Sequence, residues 1–339
     1  MDISTFDVLR ALARDLPPAD RAARHAALAR QDQLVKPAGS LGRLEEIAVH
    51  LAAWQGREIP RADKVRVIIF AGSHGVTKHG VSAFPDAVNA QMFAGFNAGF
   101  AAICQLSRAF GAELSTVDCG IATPTADFTA EPAMSEEEFL NAVALGFDSV
   151  AGDEDLLVFG EMGIGNTTAA AAVATALFGG PATDWTGRGT GLDDAGVARK
   201  AAVVERGLMI HGAAHDDALE ALRRLGGREM AAIFGACLAA RRAGIPLLLD
   251  GFIVTAAVAP LQILAGDDGL AHALAAHESG EPGHRKLLQR LGLRPLLGLG
   301  MRLGEGSGGA TALGLVRAAL ACHSGMATFA EAAVAGKSG

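Results

Sequence analysis

The chain has 339 residues, and its 29 Lys and Arg are outnumbered by 37 Asp and Glu, giving a formal net charge of −8. This balance offers no general attraction for phosphate polymers or anionic lipid, so neither nucleic acid nor a membrane is an expected partner. The four cysteines are far apart and show no C-x-x-C spacing, which argues against a disulfide framework and a zinc site. A reducing cytoplasm is the simplest location for such a chain.

The first sixty residues predict helices joined by a turn. Apolar residues recur at helical spacing at Leu44, Ile47, Ala48 and Leu51, directly after a turn at residues 36–40. No strand pattern appears in this part of the sequence, so the sheet is expected to begin later.

From residue 65 onward the pattern changes to short apolar runs that end at or near glycine. These runs, each followed by a segment of helical character, are residues 65–72, 114–120, 156–160 and 246–250. Near-continuous apolar strands with intervening helices are typical of a parallel sheet covered on both faces, so we predict an α/β fold. Ligands bind such sheets beyond the carboxyl ends of the strands, where the glycine-rich turns lie.

A glycine-rich turn at residues 160–168 follows the third predicted strand and begins an Ala-rich helix. Its glycines let the backbone approach a ligand, and the free amides at the helix start favour a phosphate or a carboxylate. A simpler interpretation is that Asn166 and Thr167 only cap the helix. The G-x-x-G-x-G spacing matches neither the dinucleotide fingerprint nor the P-loop.

A second glycine-rich turn, at residues 185–194, leads into a helix that carries Lys200. Alternate glycines there expose backbone amides that can bind an anion. Lys200 lies about two turns into the helix, so it can fold back toward the turn or remain solvated. On the residues alone the solvated arrangement is favoured.

The segment at residues 301–312 places one carboxylate, Glu305, between glycines just before another Ala-rich helix. Glu is a poor turn former, and flanking glycines let a substrate reach the carboxylate. Arg302 is close enough along the chain to bind a phosphate, and Gly308 offers an amide. The alternative is an acidic residue that only complements the helix dipole, and we favour the functional interpretation.

Histidines occur in two further loops. His74 follows the first predicted strand, where it can bind substrate or make purely structural hydrogen bonds. His277, Ser279 and His284 share one loop, but their spacing matches no zinc motif. We therefore predict neither a metal nor any other cofactor.

Several of these segments, taken together and in order, resemble the nicotinate-nucleotide:dimethylbenzimidazole phosphoribosyltransferases of cobalamin assembly. The segments are residues 36–45, 73–76, 160–168, 248–252 and 302–308. The resemblance implies a Rossmann-like parallel sheet flanked by helices and a homodimer. It also implies a large α/β domain at residues 60–300 that carries the active site, with a smaller helical domain formed by residues 1–59 and 301–339.

By this resemblance Glu305 is the general base, and Glu161 is a secondary catalytic candidate. The phosphate and ribose are expected to bind Gly163, Gly165, Asn166, Lys200, Ser279, Arg302 and Gly308. The pocket for the incoming base is expected to be lined by Met162, Phe84, Gln91, Met92 and His74. Ser73 and Phe84 depart from residues common in the family, which leaves the preferred base open.

The implied reaction needs no general acid, because the glycosidic nitrogen of nicotinate mononucleotide already carries a positive charge. Two other functions are compatible with the fold. A nucleotide-dependent oxidoreductase on a similar sheet would need a dinucleotide fingerprint, which the sequence lacks. A non-catalytic relative that binds a nucleotide or a base would have no need of a proton acceptor at Glu305.

Overall fold

The computed structural model describes residues 3–212 and 216–335. Within these residues five strands form one parallel sheet: β1 (Val65–Ala71), β2 (Glu113–Asp118), β3 (Leu156–Met162), β4 (Leu247–Leu249) and β5 (Ala273–Ala275). Their order across the sheet is β2-β1-β3-β4-β5. The predicted α/β class with a Rossmann-like parallel sheet is therefore confirmed.

The described part of the chain contains thirteen α-helices. They are α1 (Phe6–Arg14), α2 (Arg21–Gln33), α3 (Arg43–Gln55), α4 (Ala87–Ala98), α5 (Ala102–Ala109), α6 (Glu136–Asp148), α7 (Asn166–Phe178), α8 (Asp194–Ile210), α9 (Ala218–Leu225), α10 (Arg228–Ala243), α11 (Phe252–Ala265), α12 (Pro282–Arg290) and α13 (Ser307–Gly325). None of the helices described here is long and apolar enough to cross a membrane.

Both faces of the sheet are buried, because alternate side chains of each strand pack against helices on opposite sides. On β1, Ile68 and Phe70 join a core with helices that include α6, α7, α10 and α11. Val67 and Ile69 point to the other face, where they pack with α3, α5 and α13. This two-sided burial accounts for the near-continuous apolar runs in the sequence.

The order of the strands determines where a ligand can bind. Strand β1 lies between β2 and β3, so the chain first builds toward one edge of the sheet and then crosses to the other. Such a reversal opens a crevice beyond the carboxyl ends of the strands, since the connections leave on opposite faces. Strand β5, which the sequence pattern did not predict, has three residues and lies beside β4 at one side of the sheet.

The two ends of the described chain pack together. The amide of Val35 donates to the carbonyl of Ala327, and the amide of Phe329 donates to the carbonyl of Gln33. Helix α3 packs against both α2 and α13, yet α3 and α13 also share a core with the sheet. The division into domains at 60–300 and at 1–59 with 301–339 stays a prediction, and residues 336–339 lie outside the described residues.

Candidate active site

A cavity lies beyond the carboxyl ends of β3, β4 and β5. Its empty volume, including space that is open to solvent, is about 650 Å³. Its lining comes from several loops, at residues 161–164, 166–167, 189–190, 251–253, 277, 279, 281 and 302–305. The three glycine-rich turns of the sequence therefore meet at one place.

Glu305 has a left-handed backbone in this cavity. Its φ is 62°, between Gly304 at 81° and Gly306 at 82°. A left-handed conformation strains a residue with a side chain by about 1–3 kcal/mol, so surrounding contacts must hold it. One such contact involves Gly160, where an added methyl group would lie 2.6 Å from the carbonyl carbon of Glu305. The bare backbone of β3 therefore leaves room for the Glu305 turn.

Asp250, directly after β4, binds the backbone of the same turn. Its carboxylate accepts the amides of Gly306 at 3.1 Å and Gly309 at 2.9 Å. A carboxylate also complements the positive end of α13. Asp250 thus occupies the start of α13 and aligns the residues that follow Glu305.

The carboxyl groups of this site influence one another. Glu305 is only 6% exposed, and burial followed by the charge of Asp250 raises its pKa to about 7. Burial, again followed by the charge of Asp250, raises the pKa of Glu161 to about 8, although the amide of Asn166 donates to its carboxylate. Near neutral pH Glu161 is therefore mostly protonated while Glu305 is partly ionised.

The raised pKa of Glu161 links stability to pH. Because its pKa is higher in the folded than in the unfolded protein, the folded state holds an extra proton between about pH 4.5 and 8. Stability is therefore lost as the pH rises through this window. We expect Glu161→Gln, which mimics the neutral acid, to be more stable than the unaltered protein at pH 8 by about 1–3 kcal/mol.

Urea unfolding at pH 5 and pH 8 measures this effect. The gain of Glu161→Gln over the unaltered protein should be much smaller at pH 5, where both side chains are neutral. Glu137→Gln, a change at an exposed position of α6, is the control and should leave the pH dependence unchanged. Equal pH dependence in all three proteins would contradict the buried, protonated state of Glu161.

Lys200 is buried, so the solvated arrangement that its sequence context favoured is wrong. Its Nζ donates to Thr167 Oγ1 at 3.0 Å and to the carbonyl of Gly187 at 3.1 Å. Burial lowers its pKa, while the nearby charge of Glu281 acts in the opposite direction. The buried ammonium group of Lys200 therefore contacts both glycine-rich turns, at residues 160–168 and at residues 185–194.

Arg302 and Glu281 hold the turn at residue 189 from two sides. Arg302 Nη1 donates to the carbonyl of Gly189 at 2.9 Å, and the amide of Gly189 donates to Glu281 Oε1 at 3.0 Å. Both side chains line the cavity, and Arg302 remains exposed. Its guanidinium therefore supplies positive charge at the surface of the cavity.

The predicted phosphate and ribose residues fall into two groups. Gly163, Asn166, Ser279 and Arg302 line the cavity, whereas Gly165, Lys200 and Gly308 lie behind its surface. Gly165 adopts a φ of 95° immediately before α7. The amide of Gly308 faces the carboxylate of Asp250, and its missing side chain leaves room for the His277 ring.

Of the residues predicted for the base pocket, Met162 lines the cavity and the other four do not. His74 is buried behind it, with Nε2 2.6 Å from Glu229 Oε1. Phe84 is 52% exposed, Gln91 is exposed, and Met92 is half-buried against the core. The role of these four residues in binding the incoming base stays a prediction.

Two residues that line or support the cavity had no assigned role in the sequence analysis. Asp250 belongs to the strand-end segment at residues 248–252, and His277 was considered only for a metal site; His277 Nε2 lies 3.5 Å from Asp250 Oδ1. Asp250 ends the predicted apolar run at residues 246–250, whereas the strand that precedes His277 was not predicted, and nothing local distinguishes either residue from a structural one. Among the described residues, no group of three or more His, Cys, Asp and Glu could hold a metal ion.

Comparisons with curated proteins give consistent names. A protein of Mesorhizobium japonicum, named nicotinate-nucleotide–dimethylbenzimidazole phosphoribosyltransferase, is 58% identical over 99% of this chain and 100% of its own length. A protein of the same name from a Jannaschia species is 56% identical over 94% of both chains. The first match covers almost the whole chain and therefore includes the three glycine-rich turns.

Solved structures and a family model agree with these relatives. The crystal structure of CobT from Thermus thermophilus matches with a TM-score of 0.87 and 41% identity, over 93% of this chain and 100% of that one. The model of a phosphoribosyltransferase family matches residues 16–334. Because the match covers the sheet, the cavity and both flanking helical segments, this chain belongs to that phosphoribosyltransferase family.

Proposed function

We propose that this protein transfers the phosphoribosyl group of nicotinate mononucleotide to 5,6-dimethylbenzimidazole or a related base. The products are α-ribazole 5′-phosphate and nicotinate, and the former supplies the lower ligand of cobalamin. The names of the relatives support the substrates. The observation that carries the chemistry is the buried carboxylate of Glu305, with a pKa of about 7, at the wall of the cavity.

One carboxylate base is enough for this reaction. A benzimidazole nitrogen attacks C1′ of the ribose, and Glu305 accepts the proton of the other nitrogen. As the C1′–nitrogen bond breaks, its electron pair neutralises the pyridinium nitrogen, so nicotinate leaves without protonation. Attack from the opposite face converts the β-nucleotide into the α-nucleotide. A base with a pKa near the working pH combines ionisation with adequate basicity.

The remaining residues bind and orient the substrates. Arg302 and the hydroxyl of Ser279 face the cavity and can donate to the phosphate, while Lys200 adds positive charge from beneath. Neutral Glu161 can donate a hydrogen bond without repelling the anionic substrate. Met162 contributes an apolar surface for the base. Holding both substrates in the attack geometry supplies much of the rate.

Product analysis by mass tests the proposal. Incubation of the purified protein with nicotinate mononucleotide and 5,6-dimethylbenzimidazole should yield α-ribazole 5′-phosphate and nicotinate in equal amounts. Binding of nicotinate mononucleotide without product, across several benzimidazole, purine and phenolic bases, would instead favour a non-catalytic relative. Reduction of a nicotinamide dinucleotide with a hydroxylated substrate would favour the oxidoreductase.

We also propose a cytoplasmic homodimer. The cytoplasm suits the four cysteines, which are all free in the described structure. Phe84, Phe100 and Leu299 are large apolar side chains that are exposed in the single chain, and a second subunit that covered them would remove their apolar surface from water. Light scattering should give twice the chain mass of 34.6 kDa, and a single-chain mass at micromolar concentration would contradict the dimer.

A further inference from the structure

The loop between β5 and α12 forms one wall of the cavity and carries Ser279. Behind it lies His284, in the first turn of α12, fully buried and outside the cavity lining. Burial, followed by the nearby His277, lowers the pKa of His284 to about 3. The ring is therefore neutral at physiological pH and carries a single proton on one of its two nitrogens.

The hydrogen bonds of His284 determine which nitrogen carries that proton. The amide of Ser279 points at Nδ1 over 3.0 Å, and an amide N–H can only donate. Nδ1 must therefore be the unprotonated acceptor, which places the proton on Nε2.

The opposite side of the ring requires the same tautomer. Nε2 lies 3.1 Å from Thr255 Oγ1, whose own proton goes to the carbonyl of Gly251 at 2.8 Å. The threonine oxygen is thus left to accept from Nε2–H. Both partners are satisfied by one proton arrangement, and the Ser279 amide, which can only donate, excludes the alternative tautomer.

This arrangement has a consequence for the hydroxyl of Ser279. Its Oγ lies 3.1 Å from Nδ1 of His284 and accepts the amide of Glu281 at 3.4 Å. Because the single lone pair of Nδ1 already receives the Ser279 amide, the hydroxyl proton remains available to another acceptor. Ser279 lines the cavity, where a bound phosphate oxygen is such an acceptor.

We propose that His284 is a positioning residue that, in the Nε2–H tautomer set by the Ser279 amide and anchored by Thr255, holds the Ser279 loop so that the Ser279 hydroxyl donates to the phosphate of nicotinate mononucleotide. This inference rests on the proposed function for the identity of the ligand. The tautomer and the loop geometry depend only on contacts within the chain.

Thr255→Val tests this His284 link between Thr255 and the Ser279 loop. The substitution removes the oxygen that accepts Nε2–H and nearly preserves the shape of the side chain. Calorimetric titration with nicotinate mononucleotide should show affinity weakened about tenfold, the size expected when one hydrogen-bonded link is lost. Thr175→Val is the matched control, since Thr175 is also buried in a helix and also donates to the carbonyl four residues earlier. Thr255→Ser, which restores the oxygen, should recover most of the affinity.

The tautomer is measured separately by long-range proton–nitrogen NMR of protein labelled with ¹⁵N-histidine. Ten histidines are present, and the His284 signals are assigned by their loss in His284→Asn. A proton on Nε2, together with weakened binding in Thr255→Val alone, supports the proposal. A proton on Nδ1, a doubly protonated ring, or equal effects of the two threonine-to-valine variants would overturn it.

Failure of the proposed function and failure of the His284 proposal would give different experimental results. If the unaltered protein binds nicotinate mononucleotide but forms no product with any base, the transferase proposal fails while the His284 link survives. If product forms normally and Thr255→Val binds nicotinate mononucleotide as well as the unaltered protein does, the His284 link fails alone. No detectable binding of nicotinate mononucleotide to the unaltered protein would overturn both.

Discussion

Glu305→Gln is expected to lower kcat by about two to four orders of magnitude, the usual contribution of a positioned general base. Gln has nearly the same shape, so the left-handed turn and the apolar contacts should persist while the proton acceptor is lost. The dissociation constant of nicotinate mononucleotide should stay within about threefold of that of the unaltered protein, because the phosphate side is untouched. Single-turnover product formation and calorimetric binding measure the two quantities separately.

The pH profile adds a second signature of the same residue. Since the pKa of Glu305 is about 7, the rate with the unaltered protein should rise with pH up to about 7 and then level off. The residual activity of Glu305→Gln should lack this acid limb. Glu137→Gln, at an exposed position, should keep both the rate and the limb. Activity of Glu305→Gln within threefold of the unaltered protein would remove Glu305 from the mechanism.

Asp250→Asn is expected to reduce kcat/KM by about a hundredfold, although Asp250 does not line the cavity. Both carboxylate oxygens accept backbone amides near Glu305, and an asparagine can supply only one such acceptor. The other amide would then face an N–H₂ group, which leaves a buried donor unpaired at a cost of about 1–3 kcal/mol. The Glu305 turn should relax from its strained conformation.

The same substitution also removes a charge that raises the pKa of Glu305. The acid limb of the pH profile should therefore move to lower pH even as the maximum rate falls. Asp118→Asn is the control: Asp118 is the last residue of β2, and its Oδ1 accepts two amides, from Gly120 and Ile121, each at 2.8 Å. It lies outside the cavity, so its loss should leave kcat/KM nearly unchanged. If the acid limb of Asp250→Asn lies at the same pH as that of the unaltered protein, the effect of the Asp250 charge on the pKa of Glu305 is contradicted.

Local sequence patterns were sufficient to predict the sheet and the position of Glu305. Parallel strands buried on both faces are nearly continuous runs of apolar residues, so β1 and β3 could be recognised without tertiary information. Glycines on either side of Glu305 signal an unusual backbone, and the left-handed φ values at residues 304–306 agree with that signal. Both features depend on residues adjacent in the chain.

The short edge strand β5 was not recognisable in the same way. It has three residues, Ala273, Leu274 and Ala275, and lacks the β-branched side chains that mark the longer strands. Its pairing with β4 depends on the neighbouring strand being present, so its own composition carries little information. The Ser279 loop that follows it was correspondingly difficult to position.

The sequence by itself determined the α/β class, the glycine-rich turns at the strand ends and the exceptional setting of Glu305. Only the tertiary structure decided that Lys200 is buried beneath two turns, that Asp250 holds the start of α13, and that His284 supports Ser279. The physical reason is that burial and hydrogen-bond partners depend on which distant segments pack together. A lysine, an aspartate or a histidine has the same local signature whether it is solvated or supports a site.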